Sequence, residues 1–189
     1  MLDKSIPYVP LCMRRDPQNP LPTHPLPEGF RFVFYDAGAE CDWARIETSV
    51  LEFDSEMDAL LYFQKEFLVY ESEAKRRCLF VETKDREKIA TASAWWAYTG
   101  TRRDPIMHWV AVKPSFQGMG IGKALISKAL DHMVEIEGDR AFYLSTQTWS
   151  HKAVFLYEWA GFKITDEKGI IGRPNDKYEE AMTIINQFR

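Results

Sequence analysis

Residues 106–123 read Ile-Met-His-Trp-Val-Ala-Val-Lys-Pro-Ser-Phe-Gln-Gly-Met-Gly-Ile-Gly-Lys. The opening run, mostly apolar and β-favouring, predicts a strand over 106–112. Gly118, Gly120 and Gly122 then fall on alternate positions. A helix follows from about Ile121 to Glu137, with Leu125, Ala129 and Met133 on its buried face and Gly138 at its end. A strand that turns through glycines into a helix leaves backbone amides at the positive end of the helix dipole, where an anion is favoured. Glycine also lets the backbone come close to a ligand. The segment therefore predicts a phosphate site. If the glycines only closed a turn, three in alternation would cost stability without a reason.

Two common phosphate motifs do not fit. A P-loop requires glycine at 117 and Ser or Thr at 124, where Gln117 and Ala124 stand. The dinucleotide fingerprint begun at Gly118 requires a third glycine at 123, where Lys123 stands. What remains is Gln117-x-x-Gly120-x-Gly122, preceded by Val110-Ala111-Val112-x-Pro114. Some thirty residues on comes Ala153-Val154-Phe155-Leu156-Tyr157-Glu158-Trp159-Ala160-Gly161-Phe162. In this order and spacing the two motifs resemble those of the GNAT acetyltransferase superfamily, over roughly residues 106–165. The strings His108–Val112 and Thr146–Ser150 look similar to a bacterial subgroup of unassigned substrate.

The resemblance implies an N-acetyltransferase that moves an acetyl group from acetyl-CoA to an amine acceptor by direct attack in a ternary complex. It implies that Gln117, Gly118, Gly120, Ile121, Gly122 and Lys123 hold the pyrophosphate of acetyl-CoA, with Val110 and Val112 on the strand that carries the cosubstrate. Many members place Asn where this chain has Ser150, to hold the pantetheine arm; serine can also hydrogen-bond. Tyr157 matches the tyrosine that acts as general acid to the CoA sulfur, and an aromatic on a buried helix face is the plainer alternative. His108 matches a catalytic histidine of arylalkylamine acetyltransferases, which look similar here. On the residues alone it shares a strand face with Val110 and Val112, and an imidazole of pKa near 6.5 suits a general base. A histidine packed in the sheet is the equal alternative.

The rest of the chain reads as α/β. Phe30–Asp36, Cys78–Thr83, Ile89–Tyr98, Ala141–Gln147, Phe162–Thr165 and Ala181–Gln187 are expected as further strands, and Cys41–Ser49, a segment begun at Ser55, and Lys152–Ala160 as helices. Lys84–Lys88 is the charged turn of a hairpin, and a loop through Gly100 and Pro105 precedes the strand at 106. The order predicts a single-domain, mixed and mostly antiparallel sheet with helices on both faces. Residues 1–29 hold seven of the ten prolines and are expected to form an extended arm packed on the domain at 30–189, with Tyr8–Met13 pairing as an edge strand.

Composition narrows the function further. A formal charge of -4 argues against a general nucleic-acid surface. No apolar run reaches the length of a membrane span, and Pro7 and Pro10 interrupt any signal-peptide core. Cys12, Cys41 and Cys78 show no metal-ligand spacing and read as free thiols in a cytoplasmic protein, with no metal expected. A homodimer stays open. Arg102-Arg103 is a basic patch that an acidic acceptor would want. Glu47 and Glu52 read as solvated carboxylates that could instead meet an amine. Tyr98 and Trp109 are pocket candidates, Trp95, Trp96 and Trp149 core, and His132 and His151 helix residues without a special role. The acceptor itself is not readable. Two rival functions also remain: a non-catalytic acyl-CoA sensor, and transfer of a succinyl or longer group.

Overall fold

The structure, a computed structural model, describes residues 2–189. Seven strands, β1 Pro10–Arg15, β2 Phe30–Phe34, β3 Cys78–Thr83, β4 Lys88–Thr99, β5 Arg102–Val112, β6 Phe142–Gln147 and β7 Lys163–Ile164, form one mostly antiparallel sheet in the order β2-β3-β4-β5-β6-β1-β7. The α-helices are α1 Ala39–Ser49, α2 Glu56–Glu66, α3 Glu71–Arg77, α4 Ile121–Glu137, α5 His151–Trp159 and α6 Tyr178–Ile185. This is the expected mixed α/β class. Two compact units can be described, one from residues 23–94 and 109–129, the other from 2–22, 95–108 and 130–189.

In the first unit β2, β3 and the start of β4 pair antiparallel, from Phe30↔Thr83 to Phe34↔Leu79 and from Cys78↔Ser93 to Glu82↔Lys88. The helix α1 packs on α2 because each has an apolar stripe. Ala39, Trp43 and Ile46 line that of α1 with Val50 just past its end, and Ala59 and Phe63 that of α2 with Phe67 just past its end, all buried. Ser55 caps α2: its hydroxyl oxygen accepts the amide of Asp58 at 3.1 Å and its hydroxyl donates to the Asp58 carboxylate at 2.6 Å. The helix α3 had not been expected; its sequence buries only Ala74 and Arg77, too little for a readable stripe. Arg77 donates to the carbonyl of Ala94 at 2.9 Å.

In the second unit β1 lies between two neighbours, so the edge-strand expectation is corrected. It pairs antiparallel with β6 from Pro10↔Gln147 to Arg15↔Phe142, and with β7 at Met13↔Ile164 and Arg14↔Lys163. Leu11, Cys12 and Met13 are buried, as an interior strand requires. Pro10 is tolerated because it is the first residue of the strand. The segment before it is pinned as well: Val9 donates its amide to the Thr148 hydroxyl oxygen at 2.9 Å, and the Trp149 indole donates to the carbonyl of Ile6 at 2.7 Å. At the end of the strand, fully buried Arg15 donates to the carbonyls of Asn19, Pro20 and Ala160. Two further expectations change. Ala181–Gln187 is not a strand: it runs from within α6 into a 3₁₀ turn at Asn186–Phe188, and the helix buries Ala181, Ile184 and Ile185 on one face. Pro105 lies inside β5, which begins at Arg102 rather than at Ile106.

Candidate active site

Backbone and side chains together shape the glycine turn of the first unit. Lys113 continues the ladder past β5 by donating its amide to Ile89 at 2.9 Å. Pro114–Phe116 makes one turn of 3₁₀ helix. Gln117 then reaches back, its side-chain amide donating to the carbonyl of Val112 at 2.8 Å. Gln117 thus closes the base of the turn. Gly118 and Gly120 both have left-handed backbone, with φ of 80° and 85°, which accounts for two of the three glycines. The first helical bond runs from the Ala124 amide to the Gly120 carbonyl at 3.1 Å. The amides of Ile121 and Gly122 therefore have no acceptor within α4 and, with Lys123, stand at the positive end of its dipole. One neighbour was not foreseen. A Cβ on Gly120 would lie 2.8 Å from Cε1 of His24, so the proline-rich segment lays an imidazole directly on the turn.

The second unit holds Ser150, Tyr157 and His108. Ser150 stands before α5 and its hydroxyl accepts the Gln147 side-chain amide at 3.3 Å. Tyr157 is buried on α5 with Val154, its ring edge-on to Phe162 with centroids 6.3 Å apart. His108 is half-buried, and burial pushes its pKa down to about 3, with the charge of Arg173 adding to the shift. Arg173 is carried by a loop locked onto the second unit. Asn175 donates to the carbonyls of Thr165 and Glu167 at 2.8 and 2.9 Å, and the amide of Gly172 donates to the Thr99 hydroxyl at 3.3 Å. Sequence reasoning missed this arginine because a loop gives no periodicity that would place it near a strand residue.

The depressed pKa alters what His108 can do. A depressed histidine favours folding above pH 6.5, and that contribution is lost as pH falls toward 3. At neutral pH the ring is an uncharged acceptor, and holding a proton there would cost about 5 kcal/mol, from 1.36 kcal/mol per pH unit. With a pKa near 3, the limb that an ordinary base would place near 6.5 falls well to the acid side of neutrality. The rate profile of the wild type between pH 5 and 9 should show no inflection near 6.5, and His108→Ala should lower the rate without changing its shape. Rates per folded molecule across that range check this; an inflection present in the wild type and missing in the variant would restore the ordinary base.

Other candidates sort themselves by their partners. Arg102 and Arg103 are already engaged: Arg102 with buried Asp104 at 2.7 Å, and Arg103 in a two-bond pair with Glu137 at 2.7 and 2.9 Å, stacked over Trp96 at 4.8 Å. They are not a basic patch held ready for an acid. Trp95 and Trp96 stack on each other at 4.3 Å, while Tyr98 is exposed. His151 is buried and stacks on Phe188 at 4.2 Å. Glu47 departs furthest from expectation. It is 1 % exposed, on the same face of α1 as Trp43 and one turn further along, and its Oε1 has no hydrogen-bond partner. Burial, with the charge of Glu52 adding to it, pushes its pKa well above the usual carboxylate range. Trp109 has φ of 49°, a strained value for a bulky residue within a strand. Its indole donates to the Tyr62 hydroxyl at 3.3 Å.

Among the described residues no helix is long and apolar enough to cross a membrane, and no group of three His, Cys, Asp or Glu could hold a metal ion. A family model described as acetyltransferase (GNAT) matches residues 40–162. A solved GCN5-related N-acetyltransferase from Sphaerobacter thermophilus is 20% identical with a TM-score of 0.64, over 82% of this chain and 48% of that one. A GNAT acetyltransferase from Colwellia psychrerythraea is 12% identical with a TM-score of 0.58, over 85% and 55% of the two chains. At such identities the likeness is one of fold. The chain spans about half the length of these two solved proteins. An uncharacterized protein of Mycobacterium leprae is 35% identical over 57 residues, which are 30% of this chain and 15% of that protein.

Proposed function

Since the chain belongs to the acetyltransferase (GNAT) family, we propose that it transfers an acetyl group from acetyl-CoA to an amine by direct attack in a ternary complex. The observation that carries this is the turn from Gln117 to Lys123. Its two left-handed glycines, its internal Gln117 brace and the amides opening α4 suit a pyrophosphate. In this reading Gln117 orders the turn, Gly118 and Gly120 shape it, and Ile121, Gly122 and Lys123 present their amides. The backbone of Val110 and Val112 and the Ser150 hydroxyl hold the rest of the cosubstrate.

The reaction joins the amine nitrogen to the thioester carbonyl carbon and breaks the carbon–sulfur bond. An ammonium of pKa about 10 is neutral in only about one molecule in a thousand at pH 7, a deficit of roughly 4 kcal/mol. The amine proton leaves through water, with neutral His108 as a hydrogen-bond acceptor along the way. Tyr157 gives its proton to the departing thiolate and is reprotonated from the water that took up the amine proton.

The test is a panel of primary amines with acetyl-CoA, followed by release of free CoA thiol. At least one amine should raise release well above hydrolysis. Saturable acetyl-CoA binding with no amine-dependent release would favour the non-catalytic sensor. Faster release from succinyl-CoA than from acetyl-CoA would change the acyl group instead.

A further inference from the structure

The first unit holds a second constellation, built around Trp43. The rings of Phe53, Tyr62 and Trp109 lie 5.8, 6.1 and 5.4 Å from that of Trp43. They also touch one another, with Phe53 and Tyr62 5.2 and 5.1 Å from Trp109 and 5.5 Å apart. Trp43 is fully buried, whereas the other three keep part of their surface open, so the cluster has a closed floor and an open rim. Glu47 stands one helical turn from Trp43 on the same buried face. Its Oε1 and the Trp43 indole Nε1 are both buried without a hydrogen-bond partner.

A buried carboxyl oxygen without a partner is expensive and in native proteins calls for an explanation, and burial here favours the neutral acid over the charge. Nothing else on α1 demands a charge there, since its face is otherwise Ala39, Trp43, Ala44 and Ile46. A cation from outside would supply the missing partner and draw Glu47 to its charged form. The rings gathered on Trp43, one helical turn from Glu47, would add to its binding, because aromatic faces attract ammonium groups and aromatic rings pack against apolar bodies. Trp109 ties the cluster to the chemistry through the chain, being the next residue after His108 on β5.

We propose that Glu47, with Trp43, Phe53, Tyr62 and Trp109, forms the acceptor site, and that the acceptor is a primary ammonium on an aromatic or apolar body. The assignment rests on the acetyltransferase reading but is testable apart from it. Binding the ammonium against Glu47 selects the substrate, and loss of its proton to water then frees the amine for attack.

The experiment is calorimetric titration of the full chain with three probes: 2-phenylethylamine, n-hexylamine and 3-phenylpropionate. 2-Phenylethylamine should bind saturably, n-hexylamine more weakly, and 3-phenylpropionate not at all. Glu47→Gln keeps the shape and removes the charge, and should weaken 2-phenylethylamine by about 30-fold or more. Phe53→Ala, on the open rim, should weaken it by about tenfold. Acetyl-CoA affinity, measured on the same samples, should hold in both variants. Unchanged amine binding in Glu47→Gln overturns the assignment, as does wild-type protein that binds neither amine. If amine binding depends on Glu47 but acetyl-CoA fails to bind, the site stands and the acetyltransferase reading falls.

Discussion

Gly120→Glu should abolish useful acetyl-CoA binding, weakening it about 100-fold or more. Gly120 has φ of 85°, a conformation that L side chains rarely adopt, and the new carboxylate would stand where the proposal puts a pyrophosphate. Like charges brought together cost several kcal/mol, and about 2.7 kcal/mol corresponds to 100-fold. His24 complicates the variant, since any Cβ at 120 comes within 2.8 Å of its ring. Two controls separate the effects. Gly118→Ala has left-handed strain but nothing within 4 Å of the new Cβ, and should stay within about tenfold of wild type. Gly120→Ala combined with His24→Ala relieves the clash without adding charge, and should bind far better than Gly120→Glu. Calorimetry with acetyl-CoA on folded protein reads all three. Full affinity in Gly120→Glu would remove the phosphate from this turn.

Tyr157→Phe should lower turnover about 100-fold, the lower end of the usual range for general acid–base groups, and leave acetyl-CoA affinity within about threefold. The lost hydroxyl acts only on the leaving thiolate, so the effect belongs to the chemical step. Packing should survive, because phenylalanine keeps the ring that meets Phe162. Single-turnover thiol release under saturating acetyl-CoA separates chemistry from binding. Unchanged turnover would make Tyr157 a core aromatic of α5.

Strong local signals translated well from sequence to structure. The turn at 117–123 was legible because glycine spacing, the preceding strand and the helix after it all agree, and Ser55 was legible because a cap needs only its own neighbours. The misreadings have separate physical causes. Thr183, Ile184 and Ile185 favour strands by side-chain branching, but Ala181, Ile184 and Ile185 share one face only in a helix, and packing decided for α6. Leu11-Cys12-Met13 is a short continuous apolar run, the mark of a strand covered on both sides, and the nearby prolines disguised it. Glu47 was read as solvated because carboxylates usually are. A signal was present: four residues after Trp43 puts it on the apolar face of α1. The pKa of His108 was out of reach, since its environment includes Arg173, sixty-five positions away in the chain.

The place of β1 has a consequence for biosynthesis. Its partners lie far along the chain: the amide of Val9 bonds to Thr148, 139 residues later. At about 5–20 residues per second, the ribosome delivers Thr148 roughly 7–28 s after Val9. Through that interval Val9, Leu11, Cys12 and Met13, all buried in the finished protein, travel as an unpaired apolar strand. Residues 16–141 hold none of their native strand partners, because β6 and β7 are made later. A nascent chain stalled before residue 142 therefore displays a sticky open edge. Chaperones that hold extended apolar segments should engage this protein early and release it only once β6 emerges.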